Sequence, residues 1–106
     1  MELFSTDFVS GKEFETLGVV RGVIVNSRSF GKDFLAGLKS FVGGEIKPYT
    51  EMMEEAVKEA SERMIEEARK LGADAIINVR YESEQIRIEL APGSKVLAYG
   101  TAVKFV

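Results

Sequence analysis

The segment from Pro48 to Leu71 constrains the fold more than any other part of this sequence. Its apolar residues recur every three or four positions, which places them on one side of an α-helix that Gly72 ends. This apolar stripe comprises Tyr49, Met53, Ala56, Val57, Ala60, Met64, Ala68 and Leu71. Because a helix with one apolar side has to lie on another layer, the segment predicts a two-layer domain.

Two residues break the helical pattern. Glu67 falls inside the apolar stripe, and Ile65 falls on the charged side of the helix. Burying a carboxylate without a partner is costly. Arg63, one turn earlier, is the expected partner of Glu67 within the chain, and a neighbouring subunit is the alternative.

The sequence before the helix predicts strands. Residues Phe14 to Val25 are rich in β-branched side chains and apolar on both faces of the predicted strand. One face carries Leu17, Val19, Val23 and Val25, and the other carries Val20 and Ile24. Gly18 and Gly22 inside this run predict a bulge, a bend or the close approach of another backbone. A shorter strand is predicted from Glu2 to Phe8, with a turn at Ser10 to Lys12.

The sequence after the helix predicts a long hairpin. Residues Ala73 to Tyr81 read as a strand, and the alternation changes phase before Gln85, which indicates a bulge near Glu82 to Glu84 or two separate strands. A turn at Ala91 to Ser94 then leads to a strand from Lys95 to Phe105. We expect one α+β domain over residues 1–106, an antiparallel sheet of three to four strands covered by the long helix and a short one.

The connection into the long helix is the candidate ligand site. A short helix predicted from Asp33 to Val42 ends at Gly43 and Gly44. Backbone N–H groups at the start of the next helix could bind an anion or small ligand, with Lys47 and Tyr49 assisting. The alternative interpretation is a plain corner between two helices, since the segment lacks any phosphate-loop or dinucleotide-binding spacing.

Metal binding has weaker candidates. Glu45, Glu51 and Glu55 offer oxygen ligands for a divalent cation, although glutamates alternating with Lys and Arg are typical of a solvated helix face. Met52, Met53 and Met64 could supply thioethers to copper(I), but methionines beside alanines more often fill a core.

The composition excludes several function classes. The chain has no cysteine and no histidine, which removes disulfides, thiol nucleophiles, the usual general base and the commonest zinc ligand. Its 17 acids and 14 bases give a net charge of −3 and no basic stripe, which argues against nucleic-acid binding. No stretch has the apolar length of a membrane span, so we expect a cytoplasmic protein. An enzyme would have to use Tyr, Lys and carboxylates alone.

Four stretches of the sequence resemble the YbjQ family, small bacterial and archaeal proteins of unknown function, some labelled as heavy-metal-binding. They run from Leu17 to Gly22, Val42 to Ala56, Ala68 to Ile76 and Ala98 to Val103. The resemblance implies a subunit similar to dodecin and a ring-shaped homo-oligomer, a pentamer around a barrel of strands. It implies no catalytic residues. Many relatives have an arginine after the glycine pair and an acid after the tyrosine, whereas this chain has Glu45 and Thr50, which weakens an anion role.

These observations lead to one functional hypothesis. A strand that is apolar on both faces and the thin core of a 106-residue chain predict self-association. We expect a non-enzymatic homo-oligomer that scaffolds or sequesters a small ligand at subunit interfaces through Gly43, Gly44, Lys47 and Tyr49. Metal binding through the three glutamates is the alternative, and neither ligand nor cofactor is identified by the sequence.

Overall fold

The computed structural model describes residues 1–27, 47–88 and 91–106. Its elements are β1 (Glu2–Leu3), β2 (Phe14–Ser27), α1 (Lys47–Lys70), β3 (Ala75–Ile88) and β4 (Ala91–Phe105). The predicted short helix and the glycine pair that follows it lie outside the described residues. Within the part of the chain that is described, no helix is both long and apolar enough to cross a membrane.

The four strands form one mixed sheet in the order β1-β3-β4-β2. β2 and β3 both pair antiparallel with β4, whereas β1 pairs parallel with β3, placing Glu2 opposite Ala75. The prediction of an antiparallel sheet is therefore wrong at one edge. Because β2 and α1 intervene between β1 and β3, no tight hairpin dictates the direction of that pair. The first strand is also shorter than predicted, ending at Leu3 rather than Phe8.

The predicted long helix is confirmed, with its contact surface rotated from the predicted stripe. The fully buried side chains follow an i, i+4 ridge of Met52, Ala56, Ala60, Met64 and Ala68. Each step of four residues advances about 40° around the helix beyond a full turn, so the contacting side shifts steadily along its length. The predicted stripe ran parallel to the helix axis, so it does not coincide with the buried ridge at the two ends of the helix. Met52 is therefore buried where Met53 was predicted.

The rotated contact surface also explains why Glu67 and Ile65 did not fit the predicted stripe. Glu67 is exposed, and Leu71, predicted in the stripe, is 49% exposed. Ile65 is half-buried against the core rather than on a solvated side. The predicted Arg63–Glu67 pair does not form, because both side chains reach the backbone of β2. No buried carboxylate has to be neutralised here.

The two glycines of β2 have different roles. The pairing with β4 shifts register between Thr16 and Gly18, and Gly18 has a φ of 146°, which confirms the predicted bulge. The bulge moves Leu17 to the helix side of the sheet, away from the face predicted for it. Gly22 lies beneath α1, where a Cβ atom would fall 2.6 Å from Met64 N and closer still to the carbonyl oxygen of Ala60.

β3 is one continuous strand whose bulge lies earlier than predicted. The register with β4 shifts between Ile77 and Arg80, where Asn78 adopts a left-handed φ of 52°. The bulge predicted at Glu82 to Glu84 is wrong, since those residues pair regularly with β4. The turn predicted at Ala91 to Ser94 is also wrong, because Ala91 already pairs with Ile88.

The core has two parts, one on each side of the sheet. The main part lies between α1 and the sheet and includes Val20, Ile24, Ile76, Val96 and Ala102. The smaller part, on the opposite side, comprises Ala75, Ile77 and Val103 beneath Phe4, Val9, Phe14 and Phe105. Val19, Val23 and Val25 also face that opposite side but remain 73%, 38% and 52% exposed.

We expect Gly22→Ala to destabilise the fold severely. The added methyl group would meet helix backbone, which cannot move aside as a flexible side chain can, so the free energy of unfolding should fall by about 3 kcal/mol or more. Urea denaturation measures this change. Glu15→Ala, at an exposed position of the same strand, should cost less than about 1 kcal/mol. A similarly small loss for Gly22→Ala would mean that the helix does not pack this closely on β2.

Candidate functional site

Only part of the predicted ligand site can be located. Lys47 is exposed and forms the first residue of α1, and Tyr49 is half-buried in the first turn. Gly43, Gly44 and Glu45 lie outside the described residues. The helix therefore brings Lys47 and Tyr49 to the same end of the molecule, with the ammonium in solvent and the phenol directed inward.

Two hydroxyl groups at this end are buried without a hydrogen-bond partner in the described part of the chain. The Tyr49 Oη and the Ser94 Oγ have no hydrogen-bond partner among the described residues, and Ser94 is completely buried. Since α1 ends beside the start of β3, its first turn lies towards the opposite end of the sheet, where Ser94 pairs with Asn26 and Gln85. A buried hydroxyl without a hydrogen-bond partner is destabilising.

The metal candidates do not form a site among the described residues. Glu51 and Glu55 are exposed on the helix one turn apart, and no group of three acidic side chains in residues 1–27, 47–88 or 91–106 is close enough to hold a cation. Met52 and Met64 are both fully buried, and Met64 belongs to the main core, which confirms core filling for these two. Met53 packs half-buried at the edge of that core.

A surface that we call the open face lies on the side of the sheet away from α1. It consists of Val19, Val23 and Val25 of β2 and the half-buried Leu97 and Tyr99 of β4. Val23 is opposite Leu97 in the ladder, so these side chains share one face. Arg21 lies within the face, opposite Tyr99 and between Val19 and Val23. The other charged residues on this side of the sheet are Arg80, Lys95, Glu82 and Glu84. The Tyr99 Oη donates a hydrogen bond of 3.5 Å to Glu82 Oε1.

The outer edge of β2 is partly occupied by helix side chains. Arg63 Nη1 donates to the carbonyl oxygen of Val23 at 2.8 Å, and Glu67 Oε1 accepts from the Arg21 N–H at 3.3 Å. This arrangement was not predicted from the sequence, because the two charged residues were expected to pair with each other. Their spacing of four was the available signal, since it also lets both reach one neighbouring strand.

The sequence analysis also missed a cleft at the N-terminal end of the chain. It has a volume of about 760 Å³ and is lined by residues that include Phe4, Phe8, Lys12, Asp74 and Phe105. The Lys12 ammonium lies 5.4 Å from the centre of the Phe105 ring. The available signal was an aromatic-rich segment, from Phe4 to Phe14, that lacks a clean strand alternation.

The comparisons with known protein sequences all place the chain among relatives of one family. The profile of the YbjQ family, described as "Putative heavy-metal-binding", matches residues 1–106. A UPF0145 protein of Clostridium novyi is 54% identical over 104 residues, covering 98% of each chain. One from Halorubrum lacusprofundi is 50% identical over 105 residues, again covering 98% of each.

A solved structure supports the fold. A Pediococcus pentosaceus protein of unknown function from the DUF74 family superposes with a TM-score of 0.70 at 18% identity, covering 98% of this chain and 96% of its own. That likeness concerns the fold alone. With a profile match over its whole length and relatives at about half identity, the chain belongs to the YbjQ family.

Proposed function

We propose that this protein is a non-catalytic homo-oligomer that holds a small ligand between its subunits. The observation that carries the proposal is the open face, an apolar surface on a strand that the chain's own helix covers from one side only. The finer form of the proposal is a ring of dodecin-like subunits, a pentamer with strands at its centre, as the family resemblance implies.

A second copy of the chain is the occupant that fits the open face best. Val19, Val23 and Val25 share one face of β2, with Arg21 between Val19 and Val23. These exposed valines lose contact with water when covered, at roughly 25 cal/mol per Å² of apolar area. The charged residues on this side of the sheet include arginines and a lysine as well as two glutamates. A surface with apolar residues and both charge signs is self-complementary, as contact between identical subunits requires.

We expect Val19→Lys to dissociate the assembly. Val19 is the most exposed valine of the open face, and burying a lysine ammonium there without a partner is unfavourable. Native mass spectrometry should show wild type at about five times the 11.7 kDa chain mass and the variant mainly as monomer.

Leu71→Lys provides the matched control for this substitution. Leu71 is another exposed apolar residue, but it lies at the end of α1 on the other side of the sheet. This variant should keep the wild-type mass. A monomeric wild type, or dissociation by both variants alike, would refute assembly through the open face.

The ligand is proposed to bind at the N-terminal end of α1, which lies on the other side of the sheet from the open face, so this site requires a second contact between subunits. Lys47 would supply a positive charge there, and the buried hydroxyls of Tyr49 and Ser94 would supply hydrogen bonds that no described residue completes. Gly43 and Gly44 complete the proposed set from the sequence. Helix N–H groups favour an anionic or strongly polar ligand at this position.

We expect Tyr49→Phe to stabilise the ligand-free protein. The substitution removes a buried hydroxyl that lacks a partner, so the free energy of unfolding should rise by about 1 kcal/mol. Tyr81→Phe is the matched control, because its hydroxyl makes a 2.8 Å hydrogen bond with Ser61 Oγ and its loss should cost about 0.5–1 kcal/mol. If Tyr49→Phe destabilises as Tyr81→Phe does, the Tyr49 hydroxyl has a partner within the protein and is not awaiting a ligand.

Metal binding through Glu45, Glu51 and Glu55 is the alternative function, which the description of the family favours. Two exposed helix carboxylates form a weak cation site unless further ligands join them.

Thermal unfolding with added metal ions distinguishes the proposed ligand-holding function from metal binding. Under the leading proposal, calcium, magnesium, manganese or zinc at about 1 mM should raise the Tm by less than about 3 °C. A larger rise that the double substitution of Glu51→Gln and Glu55→Gln abolishes would establish the metal function instead. Glu62→Gln, at an exposed glutamate further along the helix, is the control.

A further inference from the structure

The N-terminal cleft has walls that backbone hydrogen bonds hold in place. Beyond β1, Val79 N–H donates to the Phe4 carbonyl oxygen and Asn78 N–H donates to the Thr6 carbonyl oxygen, each at 2.9 Å. The left-handed conformation of Asn78 turns both donors of the β3 bulge towards the N-terminal segment. A turn closed by a 3.1 Å bond from Lys12 N–H to the Val9 carbonyl oxygen completes the wall. The cleft is therefore preformed within one subunit.

Aromatic side chains supply most of the apolar lining. Phe4 and Phe105 pack half-buried over the smaller core, and Phe8 lines the cleft while remaining 59% exposed. At about 760 Å³, the cleft is within the size range of small-molecule sites, which are mainly apolar with a few polar groups. A flat apolar ligand would cover the Phe8 ring and contact the other two.

The charged residues that line the cleft indicate which polar group such a ligand would carry. Asp74 Oδ2 already accepts a 2.8 Å hydrogen bond from the Phe105 N–H. Lys12 has no carboxylate within ion-pair distance among the described residues, and its ammonium lies over the Phe105 ring. An anionic group beside Lys12 would gain an ion pair next to an apolar surface. Glu2 and Asp74 both line the cleft, so their negative charges oppose an anion, which would have to lie on the Lys12 side.

We propose that the cleft binds a small aromatic carboxylate, with its carboxylate beside Lys12 and its ring among Phe4, Phe8 and Phe105. This site lies within a single subunit, and the proposal goes beyond the interface function above. It needs neither assembly nor the N-terminal end of α1.

The first test compares 2-naphthoate with 2-naphthylmethanol, which has the same ring system but no charge. Titration of protein into each probe, followed by the fluorescence of its naphthalene ring, measures both affinities. The carboxylate should bind at least about threefold more tightly, because the ion pair with Lys12 is partly solvated and correspondingly modest. Lys12→Gln should abolish this preference, and Glu2→Gln should increase it. Equal affinity for the two probes, or a preference that survives Lys12→Gln, would overturn the proposal.

Matched variants separate this site from other surfaces. Lys58→Gln removes an exposed charge on α1 and should leave the preference unchanged, whereas Phe8→Ala should weaken both probes alike. Val19→Lys should leave naphthoate binding intact, so failure of the assembly would not affect this result.

Amide chemical-shift mapping locates the bound probe. Naphthoate should perturb the amides of Phe8, Lys12 and Phe105. Perturbations confined to Val19, Val23 and Val25 would show adsorption to the open face and refute the cleft. Unfolding curves of all variants identify any loss of binding that reflects misfolding.

Discussion

The approach of α1 to β2 at Gly22 is the contact on which the rest of the structure depends. Only a residue without a Cβ lets the helix backbone of Ala60 and Met64 lie directly on the strand. The small side chains of Ala56, Ala60 and Ala68 extend this close contact along the helix, so the layer of side chains between α1 and the sheet is thin. The position of the helix over β2, rather than over the centre of the sheet, then determines which surfaces remain exposed.

Much of this fold could be predicted from periodicity, but the faces of the strands could not. The helix was predicted within one residue at each end because its pattern repeats over six turns. Bulges invert the alternation that follows them, and each depends on one backbone conformation. Gly18 signals such a conformation in the sequence, whereas Asn78 does so weakly, because most asparagines in proteins do not have a positive φ. Leu17 was consequently assigned to the wrong face.

The candidate sites were less predictable than the fold, because they depend on contacts between distant parts of the chain. Lys47 and Tyr49 were predicted because they lie at the start of a helix, and neighbouring residues in the sequence are enough to identify a helix start. The N-terminal cleft instead joins Lys12 to Phe105, the two ends of the sequence, through the pairing of β2 with β4. The orphan hydroxyl of Ser94 is likewise visible only when the core is packed, since serine in a strand is ordinarily solvated.

The contacts of Arg63 and Glu67 explain how the subunit can expose an apolar face and an edge strand together. Bare strand edges invite open-ended pairing with other chains, and apolar residues on the same strand increase that tendency. Here the carbonyl oxygen of Val23 and the N–H of Arg21 are already bonded to side chains of the subunit's own helix. Strand addition at this point would have to displace both bonds, whereas contact through the open face displaces neither. In the proposed assembly these bonds would favour association through the face, where a fixed rotation between subunits can close a ring, over association at the edge, where it would continue as a fibre.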